Sequence, residues 1–365
     1  MHVYMCTYVD VCNVCVMLCM MAAATVCMSK QWYSRVLYVV SCMYQFSMAI
    51  DVYKQSLAYA ASPPQLSASL TAIADTYSNL KQYHSAEEYY SRALNLAAST
   101  AIPPSPDLLL GTLFNQLQTG RWLGYERTVA AVLQECQRLA ELTEGGPPSP
   151  LSPYRGLFLP VPPAVALSTA QSWARGFLVA EQQNQIDSDK TKRSVHESPS
   201  LRVSYLSRRF EDYPGTQMML RLFSKHNRSR VMVSAHAHGP DDGSSYRAYI
   251  REQADNFADL SSLSDTVAAR KIEEDRIDIL VSYDGMHDFN SVKVLMKRPA
   301  AIQMTWLGFA ATTGFKPKQG IDYAIADSSI APPDGVGAHF SEKLVFMPDT
   351  YQPQDELQGV CYARE

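Results

Sequence analysis

Short apolar runs alternate with segments of helical hydrophobic spacing from Leu201 to Gln352. The runs are rich in β-branched and aromatic residues and predict buried strands, whereas the segments between them predict amphipathic helices. Such alternation is typical of a parallel sheet with crossover helices. We expect strands at residues 201–206, 230–236, 278–283, 301–306, 321–326 and 343–347, and helices at 215–226, 244–256, 264–275 and 289–296. In a sheet of this kind, ligands bind beyond the carboxyl ends of the strands.

A repeated helical pattern precedes the sheet. The segments QFSMAIDVYKQSLAYA and QYHSAEEYYSRALNLA align so that Ala49 and Tyr53 match Ala86 and Tyr90, 37 residues further on. Small and aromatic residues at this spacing let one helix pack closely against its partner. The segments resemble the tetratricopeptide repeat, whose period is about 34 residues. This resemblance implies an α-solenoid fragment whose concave face binds protein or peptide substrates.

The remaining patterns suggest where the domains begin and end. Helices are predicted at residues 108–117, at 125–142 and from Pro163 onward, and a polar loop at 182–200. We therefore predict two repeats at 29–100, a helical linker region at 101–200, an α/β lobe at 201–352 and a truncated tail at 353–365.

Residues 1–28 have an unusual composition. The stretch 11–28 is nearly free of polar groups and has a borderline length for one membrane span. Lys30 and Arg35 follow it, and because positive residues favour the cytosolic side, the rest of the chain would lie in the cytosol. The Val, Cys, Met, Tyr and His content is also what an alternating dinucleotide DNA repeat encodes. We prefer this second interpretation, a mispredicted start. We expect a cytoplasmic or nuclear protein, with a membrane-anchored protein facing the cytosol as the alternative.

Charge and cysteine usage exclude several classes of function. The net charge is −4, so bulk electrostatics give no reason to expect nucleic-acid binding. Six of the eight cysteines lie before residue 43, which is not a disulfide framework for the folded body. Cys12, Cys15 and Cys19 have no fourth ligand nearby to complete a zinc site. The chain has no Walker A, HExxH, GxSxG or GxGxxG motif.

Ordered motifs in the α/β region carry a family resemblance. They are LRVSYLS, FEDYP, HNRSRVMV, GPDDGSSYR, DRIDILV, RPAAIQMTWLGF, IDYAIAD and FSEKLVFMPDTYQ. In this order they resemble the first catalytic lobe of protein O-linked N-acetylglucosamine transferases, and the repeats ahead of them fit the same family. The fold implied is a tetratricopeptide α-solenoid fragment followed by the Rossmann-like first lobe of a GT-B glycosyltransferase. The plant-type protein O-fucosyltransferases are the nearest alternative.

The resemblance also suggests the site residues. Tyr213 stands where the family has a histidine before proline, and Asp275 matches an acidic residue discussed for catalysis. The sugar-binding candidates are Leu307, Gly308, Thr312 and His287. Tyrosine is a poor general base near neutral pH because its usual pKa is about 10. Asp275 also fits a solvated carboxylate at a helix end, and His287 an ordinary loop histidine; we favour these simpler interpretations.

The implied reaction is inverting transfer of N-acetylglucosamine from UDP-GlcNAc to Ser or Thr of intracellular proteins. UDP-GlcNAc would be the donor substrate, and neither a cofactor nor a metal is expected. In this family a second lobe holds most of the nucleotide site, and the chain ends at Glu365, where that lobe should begin. We therefore predict no measurable transfer by this chain alone. The alternative is a non-catalytic module whose repeats hold a peptide.

Overall fold

A computed structural model describes residues 46–141, 149, 151–182, 200–286, 291–332 and 335–353. The chain divides into two compact units, Met1–Glu135 and Cys136–Glu365. The predicted N-terminal segment 1–28, the first helix of the first repeat and most of the predicted tail lie outside the described residues.

Helices form the described part of the first unit. They are α1 (Phe46–Tyr59), α2 (Pro63–Asn79), α3 (Tyr83–Thr100), α4 (Pro106–Thr119) and α5 (Tyr125–Glu141), and the boundary between the two units falls within α5. Helices α2 and α4 each begin at a proline, whose missing N–H costs nothing in the first turn. The Ser105 side chain caps α4 by accepting a hydrogen bond from Leu108 N, and Gly120 ends this helix in the left-handed conformation.

The repeated residues pack as core. Tyr53 is 1% exposed and Tyr90 2% exposed, and Ala49, Ala86 and Ala93 are also buried. Tyr53 packs with Ile73 of α2, whereas Tyr90 packs in the cluster that contains Leu108 of α4. The aromatic side chains of the predicted repeats therefore hold successive helices together.

A parallel sheet forms the centre of the second unit. Helices α6 (Pro153–Gly156) and α7 (Pro163–Gln182) precede it. The strands are β1 (Leu201–Ser207), β2 (Val231–Ala237), β3 (Asn256–Asp259), β4 (Ile279–Ser282), β5 (Ile302–Thr305), β6 (Tyr323–Ala326) and β7 (Lys343–Phe346). They form one sheet in the order β3-β2-β1-β4-β5-β6-β7, with parallel pairing throughout.

Short helices connect the strands. They are α8 (Pro214–Met219) and α9 (Leu222–Lys225) after β1, α10 (Ser245–Gln253) after β2, α11 (Asp265–Glu274) after β3 and α12 (Val292–Met296) after β4, and a 3-10 helix covers Val336–His339. The helix predicted at 215–226 is two short helices instead of one. Strand β3 was not predicted, because it has only four residues and begins and ends with the poor strand formers Asn and Asp.

Alternate residues of the central strands supply two separate cores. Leu206 and Leu280 belong to the cluster that also contains Ile272 of α11, whereas Tyr205 and Val281 belong to the cluster with Phe223 of α9. Neighbouring residues of one strand thus face opposite sides of the sheet. A sheet buried on both faces agrees with the nearly continuous apolar runs in the sequence.

Candidate active site

A cleft lies where the strand order reverses. The chain runs from β1 outward to β2 and β3, then returns to place β4 on the other side of β1. Connections leave β1 and β4 in opposite directions at this point, which opens a crevice beyond their carboxyl ends. A cleft of about 160 Å³ is found there. Its lining comes from the loops after β1, β4 and β5, from Gly215 and Met218 of α8, and from Gln352.

Asp284, the second residue after β4, anchors the floor of this cleft. Its Oδ1 accepts hydrogen bonds from Ser207 Oγ at 2.6 Å and from Arg208 N at 3.0 Å. Its Oδ2 accepts from Arg208 N at 3.0 Å and from Ser291 Oγ at 2.9 Å. Because Asp284 is only 2% exposed, burial raises its pKa from the ordinary value of 3.8 to about 6 against the opposing effect of the Ser207 hydrogen bond. The carboxyl group ties the end of β1 to the end of β4.

The loop after β1 carries an arginine and a tyrosine into the cleft. The guanidinium carbon of Arg209 lies 4.8 Å from the centroid of the Tyr213 ring, in cation–π geometry. Arg209 Nη1 also donates to Glu211 Oε1 at 2.8 Å. Thr216 Oγ1 donates to the carbonyl oxygen of Arg209 and fixes the loop to the start of α8. Both side chains are therefore positioned by contacts within their own loop.

The loop after β5 forms the opposite wall through close backbone packing. Gly308 N donates to Tyr283 O at 3.1 Å. A Cβ atom at Gly308 would lie 2.2 Å from this same carbonyl oxygen, so only glycine fits. Leu307 before it has a φ of 67°, a left-handed conformation that costs energy in a residue with a side chain. The β4 and β5 loops are thus locked together at van der Waals distance.

Three of the predicted site residues meet in this cleft. Tyr213, Leu307 and Gly308 all line it. Tyr213 and Gly308 are 95 positions apart in the sequence, and the pairing of β4 with β1 on one side and β5 on the other brings their loops together.

Thr312 belongs to a different buried cluster. Its hydroxyl donates to Glu342 Oε2 at 2.8 Å and accepts from Ser341 N at 3.0 Å. Thr313 N also donates to Glu342 Oε1 at 2.7 Å. Burial raises the pKa of Glu342, which the Thr313 and Thr312 hydrogen bonds partly counter. The Thr312 side chain therefore joins the β5 loop to the segment before β7 and does not line the cleft.

Asp275 also lies outside the cleft lining, at the end of α11. Its Oδ2 lies 3.0 Å from His236 Nε2 and its Oδ1 accepts from Lys271 Nζ at 2.7 Å. The hydrogen bond to His236 is the main cause that lowers the pKa of Asp275, and the Lys271 contact adds to it. The side chain is only 13% exposed, so it is a paired carboxylate rather than a freely solvated one.

A serine, a histidine and an aspartate line up beside that contact. Ser204 Oγ lies 2.5 Å from His236 Nδ1, and His236 Nε2 faces Asp275. Ser204 and His236 are both 0% exposed. A nucleophile must reach its substrate, so this row of side chains supports the sheet and is not a hydrolase site. His287, the remaining predicted residue, lies outside the described residues.

Sequence reasoning missed Asp284, Arg209 and Tyr283 as cleft residues. A signal for Asp284 was present, because it directly follows the predicted strand 278–283 and ligand sites lie at such strand ends. The same signal applied to Arg209, which follows the predicted strand 201–206, whereas Tyr283 was predicted as the last residue of a strand. Strand order decides that the loops after β1 and β4 become neighbours.

No group of three or more His, Cys, Asp or Glu side chains among the described residues is arranged to hold a metal ion. No helix in the described part of the chain is long and apolar enough to cross a membrane.

The fold and cleft together define a doubly wound α/β protein with a cleft at the carboxyl edge of its sheet. The chain belongs to glycosyl transferase family 41, whose family model matches residues 172–362, more than half of the chain. This membership confirms the resemblance found in the sequence.

Curated relatives match over part of this region. The UDP-N-acetylglucosamine--peptide N-acetylglucosaminyltransferase of Caenorhabditis elegans is 34% identical over 166 residues, which is 45% of this chain and 14% of that protein. The probable enzyme SEC of Arabidopsis thaliana is 34% identical over 159 residues, 43% of this chain and 16% of that protein. The probable enzyme SPINDLY of Oryza sativa is 38% identical over 108 residues, 29% of this chain and 11% of that protein. The matched segments thus span no more than about a sixth of these relatives.

A solved structure shows the fold. A mutant of the Thermobaculum terrenum O-GlcNAc transferase superposes with a TM-score of 0.56 and 19% sequence identity, covering 87% of this chain and 57% of that one. The predicted fold class, a helical region followed by a Rossmann-like lobe, is confirmed by this match and by the parallel sheet.

Proposed function

We propose that this chain supplies the first lobe of a protein O-linked N-acetylglucosaminyltransferase. The observation that carries the proposal is that the family match at 172–362 contains every loop of the cleft at the strand switch. The printed names of the curated relatives support UDP-GlcNAc as donor and peptide as acceptor.

The proposed reaction exchanges one bond at the sugar. The hydroxyl oxygen of an acceptor Ser or Thr attacks the anomeric carbon, the bond from this carbon to the diphosphate oxygen breaks, and UDP leaves. The hydroxyl proton passes to a base, and the departing diphosphate requires electrostatic stabilisation. We expect neither a cofactor nor a metal, on the resemblance alone.

The cleft residues have distinct proposed tasks. Asp284 orients the β1 loop, because its two oxygens already accept hydrogen bonds from Ser207, Arg208 and Ser291. The Tyr213 ring is held against the guanidinium of Arg209, and its hydroxyl is the group of this loop that we assign to contact an acceptor. Leu307 and Gly308 would form the surface under the sugar.

The test is transfer of isotope label from UDP-GlcNAc to a Ser/Thr-containing peptide. We expect none from the 365-residue chain alone and transfer from the longest product of its gene, unchanged by EDTA. In that product, Gly308→Val should lower transfer more than about tenfold, because the new side chain would occupy the space of Tyr283 O. Gly156→Ala is the matched control, since its Cβ would meet no atom closer than 3.9 Å.

Two outcomes would replace the proposal. Label transferred from GDP-fucose and not from UDP-GlcNAc would assign the chain to the protein O-fucosyltransferase alternative. Absence of transfer from either donor in the longest product would favour the non-catalytic peptide-binding module.

A further inference from the structure

A buried row of polar side chains leads from the floor of the cleft to a histidine. Ser291 Oγ, directly before α12, donates to Asp284 Oδ2 at 2.9 Å. The same Ser291 oxygen lies 3.3 Å from Nδ1 of His238, the residue that follows β2. Ser291 is 1% exposed and His238 is 4% exposed. The proposed transfer assigns no task to this histidine, although it is one hydroxyl group away from the carboxyl group of the cleft floor.

Backbone contacts hold the histidine in this row. His238 N donates to Ser207 O at 2.8 Å, and the Ser207 side chain donates to Asp284. A Cβ atom at Gly239 would overlap the carbonyl oxygen of Arg208, so only glycine fits where the ends of β1 and β2 meet. The end of β1 therefore anchors both titratable groups and fixes the distance between them.

The other ring nitrogen of the histidine faces a second carboxylate. His238 Nε2 lies 3.6 Å from Asp265 Oδ1, within the distance of an ion pair. Asp265 belongs to the first turn of α11, and its side chain is 35% exposed. A bare ring nitrogen repels a carboxylate oxygen, whereas a ring nitrogen that carries hydrogen attracts it. The contact therefore favours the form of His238 with hydrogen on Nε2.

The single hydrogen of the Ser291 hydroxyl links the two ends of the row. When Asp284 is ionised, this hydrogen points to Asp284. Ser291 Oγ can then only accept from the ring, so His238 carries its hydrogen on Nδ1. When Asp284 holds a proton, it donates to Ser291 Oγ, and the hydroxyl turns to donate to a bare Nδ1. The hydrogen of His238 is then on Nε2, where the contact with Asp265 favours it.

The charged groups around the row favour a neutral ring. Burial lowers the pKa of His238, and Arg208 adds to this effect while Asp265 opposes it. Burial raises the pKa of Asp284 to about 6, against its hydrogen bonds and the charge of Arg208. Tyr283, which also faces Asp284, stays protonated because burial raises its pKa. The titrating proton of the row therefore rests on Asp284 rather than on the ring.

We propose that Asp284, Ser291 and His238 form a proton-linked switch, in which ionisation of Asp284 moves the ring hydrogen of His238 from Nε2 to Nδ1. Asp284 releases one proton to solvent, and the ring stays neutral because it loses one hydrogen and gains one. The bare Nε2 then faces Asp265, and the attraction between the ring and α11 is lost. His238 is thus a positioning residue that acts on the cleft through Asp284. By linkage, a group in the cleft that favours ionised Asp284 weakens the contact at α11 by the same factor.

The test is nitrogen NMR of the full chain with 15N in its histidine rings. It uses neither sugar donor nor acceptor, so its result does not depend on the proposed transferase activity. The signals of His238 are those that His238→Gln removes. The two nitrogens of a neutral histidine ring have well-separated signals, which identify the one that carries hydrogen. We expect hydrogen on Nε2 at about pH 5 and on Nδ1 at about pH 7.5, with a midpoint of about 6.

Substitutions separate the switch from a purely structural role. Ser291→Ala removes the connecting hydroxyl and Asp284→Asn removes the titrating group, so each should abolish the change of tautomer. Asp265→Asn changes a partly exposed side chain and should keep the switch, but lower its midpoint by about half a pH unit, because the hydrogen on Nε2 loses its carboxylate. Asp349→Asn, at an exposed position, is the matched control and should behave like the unchanged chain. Unchanged signals of the other histidines show that each variant is folded.

Three results would overturn the proposal. A His238 ring that keeps hydrogen on the same nitrogen from about pH 5 to 7.5 would show that Asp284 does not control the tautomer. A change of tautomer that persists in folded Ser291→Ala or Asp284→Asn would mean that another group causes it. An identical midpoint in Asp265→Asn would show that the cleft floor and α11 are not linked.

Discussion

Replacing Asp284 with asparagine should change the pH dependence of stability of the α/β unit. The carboxyl group is 2% exposed and accepts hydrogen bonds from Ser207, Arg208 and Ser291. Burial nevertheless raises its pKa from 3.8 to about 6, because the hydrogen bonds do not fully replace lost hydration. Asparagine has the same shape and remains neutral at every pH.

The direction of this pH dependence follows from the raised pKa of Asp284. A carboxyl group that binds its proton more tightly in the folded protein contributes stability below pH 3.8, and this contribution is lost as pH rises to about 6. Each unit of pKa difference corresponds to about 1.4 kcal/mol. The rise of the pKa from 3.8 to about 6 therefore makes ionised Asp284 cost about 3 kcal/mol at neutral pH relative to acid.

The assay compares urea unfolding of the unchanged chain and Asp284→Asn at several pH values between 4 and 7.5. The free energy of unfolding of the variant should rise relative to the unchanged chain by up to about 3 kcal/mol across this range. The cost of placing the asparagine amide among the three donors does not depend on pH. It changes the free energy of unfolding of the variant equally at every pH, so the trend with pH is unchanged. Asp349→Asn, at an exposed position, controls for loss of one surface carboxylate.

A difference between the two proteins that does not vary with pH would refute the reasoning. It would mean that the hydrogen bonds to Asp284 compensate its burial in full. The cleft would then hold a fixed carboxylate whose charge does not oppose folding.

Three further substitutions test the hydrogen-bonded carboxylate Asp275 and the arginine ion pairs of the α/β unit. Asp275→Asn should lower stability at neutral pH by about 1–2 kcal/mol, because the ionised carboxylate is lost from its hydrogen bonds with His236 and Lys271. This loss should shrink as pH falls through the lowered pKa of Asp275. An unchanged free energy of unfolding at pH 7 would contradict that assignment. Arg247→Met should lower stability by about 3 kcal/mol, because buried Arg247 donates to Asp259 at 2.9 Å and to the carbonyl oxygens of Gly239 and Pro240, which would lose this donor. Arg251→Met replaces a side chain that is 48% exposed and should lower stability by less than about 1 kcal/mol. Equal losses of stability for the two arginine variants in urea unfolding would show that burial of the arginine does not determine the loss.

The strand and helix pattern of the α/β unit was predictable because it is local. Six of the seven strands lie within the predicted runs to within a few residues, since apolar β-branched runs and helical spacing are read directly from neighbouring positions. Strand β3 was not predicted because the four residues Asn256–Asp259 form a strand only when β2 provides its hydrogen-bonding edge. The repeat aromatics Tyr53 and Tyr90 were predictable for the same local reason.

The site was only partly predictable, because side chains choose partners across the fold. Tyr213, Leu307 and Gly308 were proposed by resemblance and share one cleft. Thr312 has the same kind of sequence support, yet its hydroxyl pairs with Glu342, 30 residues away. The sugar-binding and catalytic roles of all these residues stay predictions.

The sequence by itself determined the family, the order of the elements and the burial of their apolar faces, because each depends on residue types at short and regular spacing. Tertiary structure decided which strand ends meet. The reversal of strand order sets β4 beside β1 and brings Asp284 to Ser207 across 77 residues. No local pattern encodes that contact, because its energy comes from a buried carboxyl group and donors that become neighbours only when the sheet closes.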